Sequence, residues 1–391
     1  MNSKIKYYPV GNGDQSLITL KNGTNILVDC NIRQSSIDST DPKIYDVKKD
    51  LLASLNKRDK NPYVDVFILT HGDCDHCRGY KTNFYQGNPK KYSEENRKAG
   101  EIIVDEMWFS PMIAEEHTNN DEDAYQTEAE RRLALHLNKD LDKDLVGNRI
   151  KIIGYDGNKK YNDLNHLRAV PGNVIQEFNN KFQRDFSVFI HAPFKEQLLS
   201  AEKDKNTTSI VFQARFKHST NNSHSGLAMF GGDADYIAWG IILQKTIEHK
   251  TDITEGALDW DLFLAPHHCS WTFFNDTPQE ENKEPKEDSL EILRYRRIGG
   301  IVVASSKKVI DDDDNPPHYA AKQEYINKLD GSDDFYNTSV EPKEAAPEPL
   351  VFEITDTGIK KEKPQSETES NKLAAALAVA STGIIKKPWC Y

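Results

Sequence analysis

Residues 64–80, VDVFILTHGDCDHCRGY, join an apolar run to a cluster of two histidines, two aspartates and two cysteines. A short apolar run of this kind is typical of a strand buried on both faces of a sheet. Side chains that bind metals, when they follow such a strand directly, lie on a loop that the sheet holds in place while substrate can reach it. The pattern therefore favours an α/β protein with a polar site at the ends of its strands.

The same arrangement recurs along the chain. Apolar runs precede Asp233 in GLAMFGGD and the histidine pair His267 and His268 in LDWDLFLAPHH. A further histidine, His318, follows the run IVVASS after a short gap. Histidine and aspartate are both ligands for divalent metals, and a carboxylate shared by two ions can orient a water molecule between them. These four positions predict a metallohydrolase site.

Hydrophobic patterns in the rest of the chain predict the strands and helices around this site. Runs rich in β-type residues predict strands that begin near Lys6, Ser16, Asn25, Val64, Ile150, Phe186, Ser209, Gly226, Leu258, Ile301 and Leu350. Helical patterns cover 45–56, 124–141 and 236–249, with another from Glu324. We predict one domain over 1–359 with an α-rich insertion at about 80–185. A charged linker (360–371) and a small apolar helical tail (372–391) follow, and the tail is a candidate binding segment for a protein partner.

The composition limits the functional classes. The chain has 391 residues and a formal net charge of −12, which disfavours a general nucleic-acid coat protein. No apolar run is long enough to cross a bilayer, and the first residues do not resemble a secretory signal. Five scattered cysteines are typical of free thiols in a reducing compartment. We therefore expect a cytoplasmic protein that does not contact membranes.

Some polar residues have simpler interpretations. Cys74 and Cys77 form a CxxC, but a structural zinc site needs a second pair, which the sequence lacks. We expect Cys74 to be packed inward. Asp14 and Asp29 are expected to bind loop backbone beside the site rather than to act in chemistry.

The motifs together resemble the metallo-β-lactamase fold, and within it most closely the hydrolase domains of ComEC-type competence proteins. The matching elements, in order, are GNGD (11–14), ILVD (26–29), HGDCDHCRG (71–79), NTTS (206–209), GGD (231–233) and PHHCS (266–270). The resemblance implies a mixed fold, α/β (α+β), in which two sheets and two helical layers form a four-layer αββα sandwich. The metals would lie at one edge of this sandwich. The resemblance also implies a late histidine, which corresponds to His318.

The resemblance implies metal ligands at His71, Asp73, Asp75, His76, Asp233, His267 or His268, His318 and Asn206. One ion would lie near His71 and Asp73 and a second near Asp75 and His76, with Asp233 bridging them. Asp73 and Asn206 stand where most members have histidine, and Cys269 replaces a glycine. Oxygen ligands favour harder ions, so one or two Mn²⁺ ions are expected before Zn²⁺ or Mg²⁺.

The implied activity is that of a phosphodiesterase or nuclease that uses metal-activated hydroxide, with catalytic roles for Asp75, Asp73 and His268. The substrate would be a nucleic acid or a nucleotide. Its phosphates would meet a basic stretch that contains Lys205, Arg215, Lys217 and His218. Two alternatives stay open: a hydrolase of a small ester, cyclic nucleotide or amide, and a non-catalytic metal-binding interaction module.

Overall fold

The computed structural model describes residues 2–111, 119–155, 160–195, 206–217, 224–251 and 254–364. Among these residues no helix is both long enough and apolar enough to cross a membrane. The predicted linker is described only as far as Pro364, and the predicted tail at 372–391 lies outside the described residues.

The strands are numbered along the chain as β1 (Lys4–Tyr7), β2 (Ser16–Thr19), β3 (Asn25–Val28), β4 (Asn56–Arg58), β5 (Asn61–Ile68), β6 (Ile103–Phe109), β7 (Arg149–Ile153), β8 (Arg168–Ala169), β9 (Val174–Ile175), β10 (Glu177–Phe178), β11 (Lys181–Phe182), β12 (Phe186–Ala192), β13 (Val211–Phe216), β14 (Gly226–Phe230), β15 (Trp260–Leu264), β16 (Arg296–Ala304), β17 (Phe335–Asn337), β18 (Leu350–Thr355) and β19 (Gly358–Lys361). The helices are α1 (Val47–Ser54), α2 (Cys74–Cys77), α3 (Tyr80–Asn83), α4 (Glu94–Ala99), α5 (Asn120–Leu137), α6 (Tyr236–Glu248), α7 (Glu287–Arg294) and α8 (Tyr319–Ile326).

Two mixed sheets form the frame of the molecule. The first has the strand order β19-β18-β1-β2-β3-β5-β6-β7-β8, with β4 added beside β5, and is parallel from β3 to β8. The second has the order β17-β16-β15-β14-β13-β12-β9 and is parallel from β14 to β17. The predicted α/β class is confirmed, because short parallel strands alternate with helices in both sheets.

The apolar residues separate into three buried clusters. One cluster takes side chains from both sheets, such as Ile18 and Val66 from the first and Phe212 and Phe230 from the second. A second lies on the other face of the first sheet, where α1 and α5 pack. A third joins the other face of the second sheet to α6, α7 and α8. Burial of both faces explains why the central strands read as continuous apolar runs.

Residues 80–185, predicted as an α-rich insertion, contain helix α5 but also supply β6 and β7 to the first sheet. The sequence prediction missed β6 because Asp105 and Glu106 interrupt its apolar pattern. Both carboxylates are buried and bound: Arg58 donates two hydrogen bonds to Asp105, and the backbone amide of Asn179 donates to Glu106. Charges that are paired in this way can lie inside a sheet.

Helix α5 is attached to the first sheet by a buried ion-pair network. Glu128 accepts hydrogen bonds from Arg131 and Arg132, and Arg132 also donates to the carbonyl of Val104 in β6. The side chains of Glu128 and Arg132 are 2% and 1% exposed. Removing one member of such a pair leaves the other charge buried without compensation.

We predict that Glu128→Ala lowers the free energy of unfolding by about 3–5 kcal/mol, because Arg132 keeps its charge in a buried position. Urea titration followed by tryptophan fluorescence measures the change. Glu130→Ala is the control on the same helix, since Glu130 pairs with Lys160 at the surface and its loss should cost at most about 1 kcal/mol. Equal effects of the two substitutions would contradict the buried network.

Candidate metal centre

The predicted site residues meet at the carboxyl ends of parallel strands from both sheets. His71 follows β5, Asp233 follows β14, and His267 and His268 follow β15. A backbone hydrogen bond of 2.9 Å from Ile210 to Thr70 joins the start of β13 to the end of β5. The carboxyl ends of parallel strands lie at one edge of a sheet, so the two sheets bring their polar loops together there.

The Asp233 carboxylate lies at the centre of this edge. Its Oδ1 atom is 3.0 Å from His76 Nε2 and 3.6 Å from His268 Nε2. Its Oδ2 atom is 3.4 Å from His71 Nε2 and 3.6 Å from His267 Nε2. Each oxygen therefore faces two imidazoles, and both histidines of the PHH motif take part, one on each side.

A further carboxylate completes each side of Asp233. On the first side Asp73 Oδ2 lies 3.6 Å from His71 Nε2. On the second side Asp75 Oδ2 lies 3.3 Å from His268 Nε2. We name these sets group one (His71, Asp73, His267) and group two (Asp75, His76, His268), with Asp233 shared by both. The ligand atoms of His71, His76 and Asp233 lie within 4.8 Å of one another.

The site is closed at its base and open on one side. The side chains of His71, His76, His268 and Asp233 are at most 3% exposed. Those of Asp73, Asp75 and His267 are 34%, 31% and 20% exposed. A substrate or a water molecule can therefore reach the centre past these three residues.

The electrostatics of the centre favour positive charge. Burial by itself raises the pKa of Asp233, but the surrounding imidazoles hold that pKa well below its usual range. Burial opposes protonation of His71 and His268, yet nearby carboxylates raise their pKa values to about 9 and about 10. A divalent cation can replace these protons, because metal binding to histidine displaces the proton from the ligating nitrogen.

The residues fit a metal ion. Among the residues that the structure describes, neither His71 Nε2 nor Asp233 Oδ1 makes a hydrogen bond, although both atoms are buried. The Nε2 atoms of His76 and His268 are only 3.2 Å apart. Buried polar atoms without hydrogen bonds are costly unless another partner satisfies them. Imidazole nitrogens and carboxylate oxygens aimed at one point are the donors that Mn²⁺ and Zn²⁺ accept.

Asp29 and Thr70 orient His76 from behind. Asp29 Oδ2 is 2.8 Å from His76 Nδ1 and accepts a 2.7 Å hydrogen bond from the hydroxyl of Thr70. The other Asp29 oxygen accepts from the backbone amide of Thr70 at 2.7 Å. A proton on Nδ1 that is donated to Asp29 leaves Nε2 of His76 with a lone pair toward Asp233. Asp29 thus binds loop backbone, as expected, and also a candidate ligand.

The histidine pair owes its direction to an unusual turn. His267, His268 and Cys269 have positive φ angles of 49°, 55° and 69°, in the left-handed region that costs a non-glycine residue about 1 kcal/mol or more. A glycine at the position of Cys269 would suit this conformation. His268 Nδ1 lies 3.1 Å from the carbonyl of Ser305 and 3.2 Å from the amide of Gly13, so the ring presents Nε2 to Asp75 and Asp233. The strained turn directs the two imidazoles to opposite sides of Asp233.

The first turn of α5 fixes the loop after β5, which carries His71 and Asp73. Asn119 donates a 2.9 Å hydrogen bond to the carbonyl of Gly72, and Asp121 accepts from the backbone amide of Gly79. A Cβ atom at Gly72 would lie 2.1 Å from Glu122 Oε1, so only glycine fits there. No local sequence pattern indicates this contact, because the partners are more than forty residues apart.

Three predicted positions have other surroundings. His318 precedes α8, and its Nδ1 accepts a 3.2 Å hydrogen bond from the amide of Ala320. In the described part of the chain, the candidate ligand atoms that lie within 4.8 Å of one another form two sets, His71-His76-Asp233 and Asp14-His76-His268. Neither set includes His318. Asn206 lies in a short 3-10 turn before β13. The ligand roles of His318 and Asn206 stay predictions. Cys74 is exposed, so its predicted inward packing is wrong, since α2 turns Cys77 to the interior instead.

The structure also bears on the basic residues that were predicted to contact phosphate groups. Arg215 is buried near the far end of β13, 4.5 Å over the ring of Phe189, and donates to the side chain of Gln213. It is therefore remote from Ile210, the residue where β13 approaches the centre. Lys205 and His218 lie outside the described residues.

We predict that Asp29→Asn weakens metal binding by about ten- to a hundredfold, because the amide no longer fixes the tautomer of His76. Calorimetric titration with Mn²⁺ and Zn²⁺ after removal of bound metal measures the affinity. Asp65→Asn is the control, since Asp65 is an equally buried carboxylate that binds Asn25 and Asn179 away from the centre. An unchanged metal affinity for Asp29→Asn would refute the supporting role.

Neither the models of known protein families nor the curated protein sequences give a match to this chain. The family resemblance is therefore carried by the motifs alone, and the site must be judged on its own geometry.

Proposed function

We propose that this chain is a metal-dependent hydrolase that cleaves phosphodiesters and has the four-layer αββα sandwich of the metallo-β-lactamase fold. The observation that carries the proposal is the position of Asp233, whose two oxygens face two separate ligand groups. A carboxylate shared in this way is suited to hold two ions close together, as phosphodiester cleavage by two metals requires. The three buried clusters support the four-layer arrangement.

The donor set supports Mn²⁺ as the first candidate ion and Zn²⁺ as the second. Each group offers two imidazoles and one carboxylate in addition to Asp233. Mg²⁺ ranks third, because it prefers oxygen ligands alone. A divalent ion held here would supply Lewis acidity at a phosphoryl oxygen.

The protein side chains divide the remaining work. Four side chains are buried and would hold the ions: Asp233, His71, His76 and His268. Asp73 and Asp75 reach the open side, so either carboxylate can accept the proton that an attacking water molecule loses. His267 Nδ1 lies 3.0 Å from the Thr272 hydroxyl and its Nε2 lies 3.6 Å from Asp233 Oδ2, so this ring would hold an ion in group one.

A second candidate is hydrolysis of a small ester or cyclic nucleotide by the same site. The net charge of −12 favours it, because a polyanion is repelled at long range. The two functions differ in their salt dependence: cleavage of a polyanion slows steeply as salt rises, and cleavage of a small substrate does not.

We predict that the purified protein cleaves single-stranded DNA, duplex DNA or RNA when Mn²⁺ is added and that EDTA abolishes the activity. Asp75→Ala should lower the rate by about a hundredfold or more, because group two loses its open carboxylate. Gel assays with Mn²⁺, Zn²⁺ or Mg²⁺ measure the cleavage, and bis(4-nitrophenyl) phosphate reports on small substrates.

Glu130→Ala is the control for this experiment, since it removes an exposed carboxylate on α5 and should leave the rate unchanged. Cleavage of only the small substrate would favour the second candidate. Bound metal without cleavage of any substrate would contradict the nuclease proposal and favour a non-catalytic metal-binding interaction module.

A further inference from the structure

Two arginines lie beside the loop that carries the candidate ligands. Arg78 follows His76 by two residues, and its carbonyl accepts a 2.9 Å hydrogen bond from the backbone amide of Ile32. Arg33 is the next residue after Ile32, so the two backbones run side by side. Both arginine side chains are half-buried. Burial, and to a lesser extent the positive charge of Arg78, lowers the pKa of Arg33.

Neither arginine has a counter-charge in the described part of the chain, where no ion pair or side-chain hydrogen bond joins either guanidinium to a protein group. The other arginines there that are buried or half-buried do have side-chain partners: Arg58, Arg97, Arg131, Arg132, Arg149, Arg168, Arg215, Arg296 and Arg297. A half-buried guanidinium without a protein partner loses hydration that nothing replaces, and the positive charge of Arg78 acts against that of Arg33. An anion between them would remove both costs.

Arg33 is connected to the metal centre through the GNGD loop. A Cβ atom at Gly11 would lie 3.6 Å from Arg33 Nη1, so this guanidinium lies against the loop. Two residues further along the loop, the amide of Gly13 is 3.2 Å from His268 Nδ1, and the amide of Asp14 donates to the carbonyl of Asp75. The same short loop therefore touches Arg33 at one end and group two at the other.

We propose that Arg33 and Arg78 form a subsite for a backbone phosphate of a nucleic-acid strand, next to the phosphodiester that is cleaved. The inference rests on the proposed function and names its substrate class. Guanidinium groups bind phosphate oxygens in pairs of parallel hydrogen bonds, and they keep their charge when partly buried. A substrate with a single phosphate leaves this subsite empty, whereas a strand fills it.

The subsite also provides local positive charge on a protein whose net charge repels a nucleic-acid strand at long range. Screening reduces the effect of the net charge of −12 beyond about 8 Å at physiological salt. Within that distance the local pair of positive charges dominates the interaction with the strand. A positive subsite beside the cleavage position would let an acidic protein bind a polyanion there.

The test compares Arg33→Gln, Arg78→Gln and the double variant with Arg184→Gln, which removes the same charge from an exposed position after β11. Binding of a fluorescein-labelled oligodeoxythymidine strand is measured by anisotropy in EDTA, so that no cleavage occurs. We expect the Kd to rise about tenfold for each single variant and not for Arg184→Gln. The salt slope should become shallower by about 0.7 for each arginine lost.

The kinetic arm uses the strand and bis(4-nitrophenyl) phosphate with Mn²⁺. We expect KM for the strand to rise in the arginine variants, while kcat/KM for the single-phosphate substrate stays within about twofold of wild type. Loss of activity on both substrates would overturn the subsite, because the arginines would then act on the cleaved phosphate or on folding. If the wild type cleaves neither substrate, the proposed function fails, and the anisotropy arm alone decides the subsite. Equal strand binding by all variants would overturn it.

Discussion

The Asp233 carboxylate is the constraint around which this structure is organised. A carboxylate that is 2% exposed between two sheets is costly unless positive charge surrounds it, and here four imidazoles from two loops face its two oxygens. The loops after β5 and β15 must therefore meet at one point. The packing of the two sheets brings these strand ends together.

The protein accepts local strain to satisfy that constraint. The turn after β15 holds three consecutive non-glycine residues in the left-handed region, and the backbone hydrogen bond from His267 to the carbonyl of Gly232 fixes it against the loop of Asp233. The NPPH segment stabilises the same turn, since Asn315 accepts from both the hydroxyl of Ser270 and the amide of Trp271. His318 caps α8 beside this turn, and its backbone amide donates a hydrogen bond to the carbonyl of Cys269.

The open side of the centre has a different character from its base. The base is fixed by buried contacts that reach from Asp29 to the first turn of α5, so the four buried groups have little freedom. The entrance carries two partly exposed carboxylates, Asp73 and Asp75, and Arg33 lies against the GNGD loop that reaches group two. Negative side chains suit the handling of cations and protons, and a guanidinium without an ion pair among the described residues suits an anion.

The strands that end in candidate ligands, the α/β class and most of the histidines and aspartates at the centre could be predicted from the sequence, because each signal lies within a few residues of its strand. The sequence did not reveal β6, whose buried Asp105 and Glu106 look like surface charges until their partners are known. It left His267 and His268 as alternatives, whereas the left-handed turn directs one to each oxygen of Asp233. Nor did it show that Arg33 and Arg78 have no ion pair among the described residues, and Arg215 was the better candidate from the sequence. These features depend on contacts between residues distant in the chain, so the folded structure is needed to show which charges have a protein partner.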